Sequence, residues 1–196
     1  GDIVLVCVND DAIPSVLDAI PTEKKVVYTS GSMHLQKCGR KNLTGVLYPL
    51  QTLQKEKPVP SVLPLLIEAQ DDHLLSQINF IASKISNQVF EVNSDDRLTY
   101  HLSAVWLNNF TNHIVYLSQK LLKEHDLSFE LLKPLLDETL AKLKQGIPEQ
   151  TQTGPARRGD QRIIDLHSSL LTGRDKHLYE LISESIKDTY RKDDQL

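Results

Sequence analysis

Apolar positions in the first half of the chain come in short, β-branched runs broken by polar turns. Residues 3–8 (IVLVCV) form such a run, of the kind that makes a strand buried on both faces. Residues 25–29, 45–50, 63–69 and 88–92 repeat the pattern. Between them lie two amphipathic stretches. Residues 12–20 predict a short helix with Asp11 as its cap and Pro14 in its first turn. After Asp71-Asp72 the spacing of Leu74, Leu75, Ile78, Ile81, Ala82 and Ile85 predicts a second helix. Strands alternating with helices predict a mostly parallel α/β sheet.

The pattern changes after Asn93. From 94 to 124 there is neither Gly nor Pro, and Leu98, Leu102, Val105, Phe110, Ile114, Leu117 and Leu121 suit one long helix. Further helices are predicted over 128–145, capped by Ser128 and stopped at Gly146, with Pro134 a kink or a late start, and over 160–171 and 175–191. No strand pattern follows residue 93, so the expected organisation is an α/β domain over 1–93 and an all-α domain over 94–196, with a frayed end at 191–196. A chain opening on a doubly buried strand also calls for partner strands upstream, and Gly1 reads as a tag remnant.

Composition narrows the function classes. The chain has 196 residues, is 40% hydrophobic and 24% charged, and carries a net charge of −4. With a pI near 6.0 it lacks the basic footprint of a nucleic-acid binder. Its apolar runs fall far short of the roughly 20 residues that span a bilayer, and no secretory leader is visible. Mixed charges on the helices argue against a membrane surface. Two cysteines, Cys7 and Cys38, make neither a disulfide framework nor a metal pair and read as plain thiols in a reducing cytoplasm. The seven histidines are scattered without metal-ligand spacing, so no metal is expected. No GxSxG elbow supports a hydrolase.

Polar residues cluster at the predicted strand ends. Asn9, Asp10 and Asp11 follow the first strand, Ser30-Gly31-Ser32 the second, and Tyr48-Pro49-Leu50-Gln51-Thr52 the third. In open α/β sheets ligands bind outside the carboxyl ends of strands. The plain alternative is that Ser-Gly-Ser is a turn, the aspartates a cap and Tyr48 an edge residue with a satisfied hydroxyl. On the long helix, His101, Asn108 and Asn112 are offset by seven and four residues and so share a face. They are either substrate-facing groups or a network between helices. Arg157 and Arg158, beside a Gly-Pro turn and ahead of the cap Asp160, could clamp a carboxylate or phosphate with their planar donors, or simply be solvated. His167 reads as a satisfied interior histidine.

Taken in order, the segments Val8-Asn9-Asp10-Asp11-Ala12-Ile13, Thr29-Ser30-Gly31-Ser32, Gly45-Val46-Leu47-Tyr48-Pro49-Leu50-Gln51-Thr52, His101-Leu102-Ser103-Ala104-Val105, Asn108-Asn109-Phe110-Thr111-Asn112-His113 and Thr153-Gly154-Pro155-Ala156-Arg157-Arg158-Gly159-Asp160 carry a resemblance. The chain resembles a bacterial family of Rossmann-like oxidoreductases whose C-terminal region bears a domain-of-unknown-function label. That family is similar in layout to pyrroline-5-carboxylate reductase, ketopantoate reductase and the C-terminal part of 6-phosphogluconate dehydrogenase. The resemblance implies part of a Rossmann-like parallel sheet followed by a helical dimerisation domain. It implies a reductase of a small carbonyl, imine or hydroxyacid, using NADP or NAD, and a homodimer whose partner could receive Arg157 and Arg158. The alternative is a non-catalytic dimer that keeps the fold as a ligand sensor or scaffold.

By the same resemblance Asn9, Asp10 and Asp11 lie beside the cofactor and Ser30, Gly31 and Ser32 near its nicotinamide. Tyr48, where many relatives carry His, with His101, Asn108 and Asn112 forms the catalytic set, and Gln51 and Thr52 join the arginines in binding substrate. Unperturbed Tyr titrates at about 10 and His at about 6.5, so the exchange at Tyr48 favours positioning over proton transfer there. The family's glycine-rich phosphate-binding turn has no counterpart, since no GxGxxG occurs. The expectation is that about 60–80 upstream residues, a half-fold, are missing.

Overall fold

The computed structural model describes residues 3–38 and 43–191. The expected features at Gly1 and at 192–196, and the side chain of Cys38, lie outside them. The chain divides into two compact units, one running to Asn112 and the other starting at His113.

In the first unit, among the described residues, β1 (Ile3–Val6), β2 (Lys25–Tyr28), β3 (Thr44–Pro49), β4 (Leu65–Ala69) and β5 (Val89–Glu91) form one sheet in the order β1-β2-β3-β4-β5. All five strands fall where the apolar runs predict them, most of them trimmed at the ends. β1, β2 and β3 run parallel, as do β4 and β5. β3 and β4 pair antiparallel, Leu47 facing Ile67. The polar connection over 50–64 contains no helix to return the chain to the other end of the sheet, so an antiparallel step is the geometry it allows.

Alternation along the strands supplies two faces, and each is covered. Val6, Val26, Tyr28 and Val46 point one way and pack with Ile13 and Leu17 of α1 (Ile13–Ala19) and with Leu35. Val27, Leu47, Leu65 and Ile67 point the other way and meet Leu74, Ile78 and Ala82 of α2 (Asp72–Ile85). Burial on both faces is why these strands read as continuous apolar runs. Asp71 caps α2, accepting from the backbone N–H groups of His73 and Leu74. Asp11, by contrast, caps nothing. It sits inside a 3-10 turn (Asp10–Ala12) that precedes α1, and Ala12 takes the cap position without a side-chain bond.

The long helix begins on schedule, capped by Asn93 accepting from the Asp96 N–H. It is not uniform. α3 (Ser94–Ala104) passes into a π-helical segment (Val105–Phe110) and resumes as α4 (Thr111–Glu124). Strand character ends where expected, but the first unit extends to Asn112 because the start of this helix is tied to the sheet. Arg97 and Ser94 bond Glu68 of β4, His101 bonds Tyr48, and Asn108 bonds Thr52.

The second unit holds the rest of α4, α5 (Lys133–Gln145), α6 (Pro148–Thr151), α7 (Pro155–Arg158), α8 (Gln161–Ser169) and α9 (Gly173–Tyr190). Ser128 caps a 3-10 turn (Phe129–Leu132) leading into α5, so Pro134 marks a late start rather than a kink. Gly146 ends α5 and Asp160 caps α8, accepting from Ile163. The loop expected over 146–159 instead contains the single turns α6 and α7, and α7 stops on Gly159 at φ +68°. None of the described helices is long and apolar enough to cross a membrane.

Gly45 shows how tightly β3 is packed. A Cβ there would collide with the Ile78 side chain and stand 2.9 Å from the Glu68 carbonyl oxygen, a backbone atom that cannot turn aside. Gly45→Ala is therefore expected to lower stability by about 1–3 kcal/mol, read as an earlier urea midpoint; an unchanged midpoint contradicts the packing described.

Candidate active site

The carboxyl ends of β1, β2 and β3 lie side by side, because the three strands are parallel neighbours. Each delivers its loop to the same edge. After β1 comes Asn9, whose carbonyl accepts the Ala12 N–H at 2.9 Å and starts the turn that holds Asp10. After β2 comes Ser30-Gly31-Ser32. The buried Ser30 hydroxyl accepts the N–H groups of Ser32 (3.1 Å) and Met33 (2.9 Å), folding the turn back on itself. Ser32 then donates its hydroxyl to the Asp10 carboxylate, joining the first two loops.

The third loop meets the second at Gly31. A Cβ on Gly31 would stand 2.7 Å from the Tyr48 ring and 2.8 Å from His101 Nδ1. Glycine is needed here for close approach, not for an unusual φ. Tyr48, at the end of β3, and His101, on α3, lie 3.0 Å apart from hydroxyl to Nδ1, with their rings edge to face. Burial, reinforced by the nearby Asp10 carboxylate, pushes the Tyr48 phenol above its ordinary value. The phenol therefore keeps its proton through neutral pH, and hydroxyl and Nδ1 share one hydrogen bond whose direction is set by the His101 tautomer.

Further along, Asn108 donates its amide to the Thr52 hydroxyl at 3.0 Å. Gln51 is exposed, its side-chain oxygen accepting the Thr52 N–H at 2.9 Å. His101 and Asn108 thus both reach the Tyr48-to-Thr52 segment, but not by the offsets of a straight α-helix. The π segment between His101 and Asn112 breaks that spacing, and Asn112 is exposed at the end of the unit. Asp11 is exposed as well.

Arg157 and Arg158 belong to the second unit. The Arg157 guanidinium lies 4.2 Å over the Tyr190 ring, while Arg158 is exposed. His167 is exposed rather than interior, and its Nδ1 is 3.0 Å from the Tyr179 hydroxyl. Cys7 is an exposed thiol just past β1.

Sequence reasoning passed over Glu68, Ser94 and Arg97, which lie behind the site. Arg97 is 1% exposed and pairs with Glu68, and its Nη2 donates to the Met33 carbonyl at 2.6 Å. Ser94 donates to Glu68 and accepts the Leu35 N–H at 3.0 Å. The one signal in the sequence was Glu68, a lone charge inside the apolar run over 63–69.

The donor set suits one end of a dinucleotide. Hydroxyls, an amide and a carboxylate at three adjacent strand ends fit the carboxamide of a nicotinamide and the hydroxyls of its ribose. They do not fit a pyrophosphate. The turn into α1 bears Asp10 and Asp11, which repel phosphate at the helix end that would otherwise favour it.

Known proteins place the fold in a class and then in a family. Over 95% of this chain and 75% of the other, a Bacteroides fragilis structure assigned as an NADP oxidoreductase superposes with a TM-score of 0.83 at 34% identity. A Thermotoga maritima protein matches over 98% of this chain and 80% of its own with a TM-score of 0.76 at 23% identity. An oxidoreductase assignment from Mycobacterium avium matches over 94% and 76%, with a TM-score of 0.61 at 15% identity. The fold is Rossmann-like α/β followed by helices. Residues 63–186 match the family model described as Domain of unknown function (DUF2520), and the chain belongs to that family. No protein of curated function matches the sequence.

The Tyr48 environment has a measurable consequence. In the folded protein the phenol holds its proton at pH values where the unfolded chain has begun to lose it. Its contribution to stability is thus complete below the ordinary phenol range and lost as pH rises through that range to the raised value. The ultraviolet titration difference between wild type and Tyr48→Phe should show a midpoint above an ordinary phenol's; a midpoint at or below it contradicts the burial described.

Proposed function

We propose that this chain carries the substrate-facing wall of an NAD(P)-dependent oxidoreductase acting on a small carbonyl, imine or hydroxyacid, with NADP the first choice and NAD the alternative. The observation that carries the reading is the meeting of Tyr48 and His101 over Gly31 at the shared end of three parallel strands. The B. fragilis relative supports it, since that protein is assigned as an NADP oxidoreductase. The nicotinamide, when bound, supplies hydride chemistry at its C4.

The chain's own residues do the rest. Ser30, Gly31 and Ser32, with Asn9, Asp10 and Asp11, hold the nicotinamide end. His101 presents a proton on Nε2, its tautomer fixed by the Tyr48 hydroxyl on Nδ1, to an oxygen or nitrogen that gains negative charge. Tyr48 positions rather than transfers, because its phenol is held neutral. Asn108, Asn112, Gln51 and Thr52 orient the substrate through amide and hydroxyl bonds. Arg157 and Arg158, on the second unit, offer planar donors that suit a carboxylate or phosphate.

The protein acts as a homodimer through its helical unit. Neither α4 nor α5 buries a residue in the single chain, although both are amphipathic. Leu131 (83% exposed), Leu135 and Ile147 present the kind of apolar surface that soluble monomers avoid, and a second copy covers it. Light scattering should give twice the chain mass, and Leu131→Asp with Leu135→Asp should give the monomer; a wild-type monomer contradicts this.

Catalysis is tested on the product of the whole gene, by NADPH oxidation with a panel of small 2-oxo acids, aldehydes and cyclic imines. His101→Asn is expected to lower turnover by about 10²–10⁴-fold with folding intact. Turnover unaffected by His101→Asn removes it from the chemistry. No NADPH binding at all makes the non-catalytic dimer the better reading.

A further inference from the structure

A costly arrangement lies behind the site. Arg97 is 1% exposed, and the Glu68 side chain that pairs with it is 16% exposed. The arginine's donors go to the Glu68 carboxylate and to the Met33 carbonyl, and its Nε is buried without a hydrogen-bond partner among the described residues. Ser94, one turn earlier, completes the set: its hydroxyl bonds Glu68 at 2.8–2.9 Å and accepts the Leu35 N–H at 3.0 Å. Burying an ion pair with a polar atom left over is poor stability design, since apolar side chains of similar volume do as well or better. The bonds it makes are instead directional. Two of them grip the backbone of the segment after β2, at Met33 and at Leu35, immediately beyond Ser30-Gly31-Ser32.

Arg97 and His101 are four residues apart on α3 and so share a face. One turn of helix therefore grips the loop through Arg97 and lays His101 against Gly31 of the same loop. We propose that Arg97, with Glu68 and Ser94, is a positioning clamp that holds the Ser30-Gly31-Ser32 turn against Tyr48 and His101 and thereby sets the geometry of the reactive centre. The clamp rests on the reading of Tyr48 and His101 as that centre. Arg97 and Glu68 act through the loop and touch no reacting atom. Lysine cannot replace the arginine, because a single ammonium lacks the planar fork that serves a carboxylate and a carbonyl together.

The test uses Arg97→Met and Arg97→Lys, with Ser94→Ala as the milder variant should Arg97→Met fail to fold. Two readouts need no turnover. Imidazole nitrogen NMR reports the His101 tautomer, and the Tyr48 titration, taken as the difference from each variant's Tyr48→Phe partner, reports how tightly the turn covers the phenol. Asp10 and His101 are the titratable groups facing that phenol. The clamp predicts a folded Arg97→Met or Ser94→Ala protein in which His101 loses its single tautomer and Tyr48 titrates closer to an ordinary phenol. Arg97→Lys should not restore either. In the whole gene product, kcat should fall on the order of 100-fold while NADPH affinity holds. Folded variants with wild-type tautomer and titration overturn the clamp, as does full rescue by lysine. Absence of turnover in the wild type would count against the reductase reading alone, because the NMR and ultraviolet results would still decide the clamp.

Discussion

The first unit is organised around a charge taken out of water. Arg97 enters the interior at the start of α3 and is met there by Glu68 at the end of β4. An unpaired charge in that position would cost several kcal/mol, so helix and strand are obliged to meet, and α3 belongs to the sheet even though its sequence belongs to the helical half. That obligation explains why the compact unit ends at Asn112 rather than where the strands stop.

From that junction the site follows by geometry. Parallel pairing of β1, β2 and β3 brings three loops to one edge, and α3 closes over them. The approach is close enough that Gly31 has no room for a methyl group, and close enough that the Tyr48 phenol loses hydration and keeps its proton. The hydrogen bond between that neutral phenol and Nδ1 is the contact on which the proposed Nε2 proton of His101 depends.

Much of this was legible in the residues. Five short apolar runs marked five strands, and Asp71, Ser128 and Asp160 marked helix starts by their capping chemistry. The residues at the strand ends were visible as candidates because polar groups there interrupt apolar runs. Asp11 failed as a cap because a 3-10 turn intervenes and gives the first turn to Asp10 and its bond with Ser32. The π segment was not legible, since VWLNNF suits a plain helix and only the tertiary bonds on either side reveal the extra residue per turn. Nor was the antiparallel step between β3 and β4, which depends on a connection that carries no helix. Buried Ser94 and Arg97 hid among the charged residues of a helix start, where periodicity reads solvent, and their half-buried partner Glu68 hid as the one charge in an apolar run.

Where a nicotinamide ring sits is read directly from a crystal structure of the whole gene product with NADP bound. The ring is expected against the Ser30-Gly31-Ser32 turn with the Tyr48–His101 pair at its open side. A ring bound elsewhere, with Tyr48 and His101 remote from its C4, would contradict it.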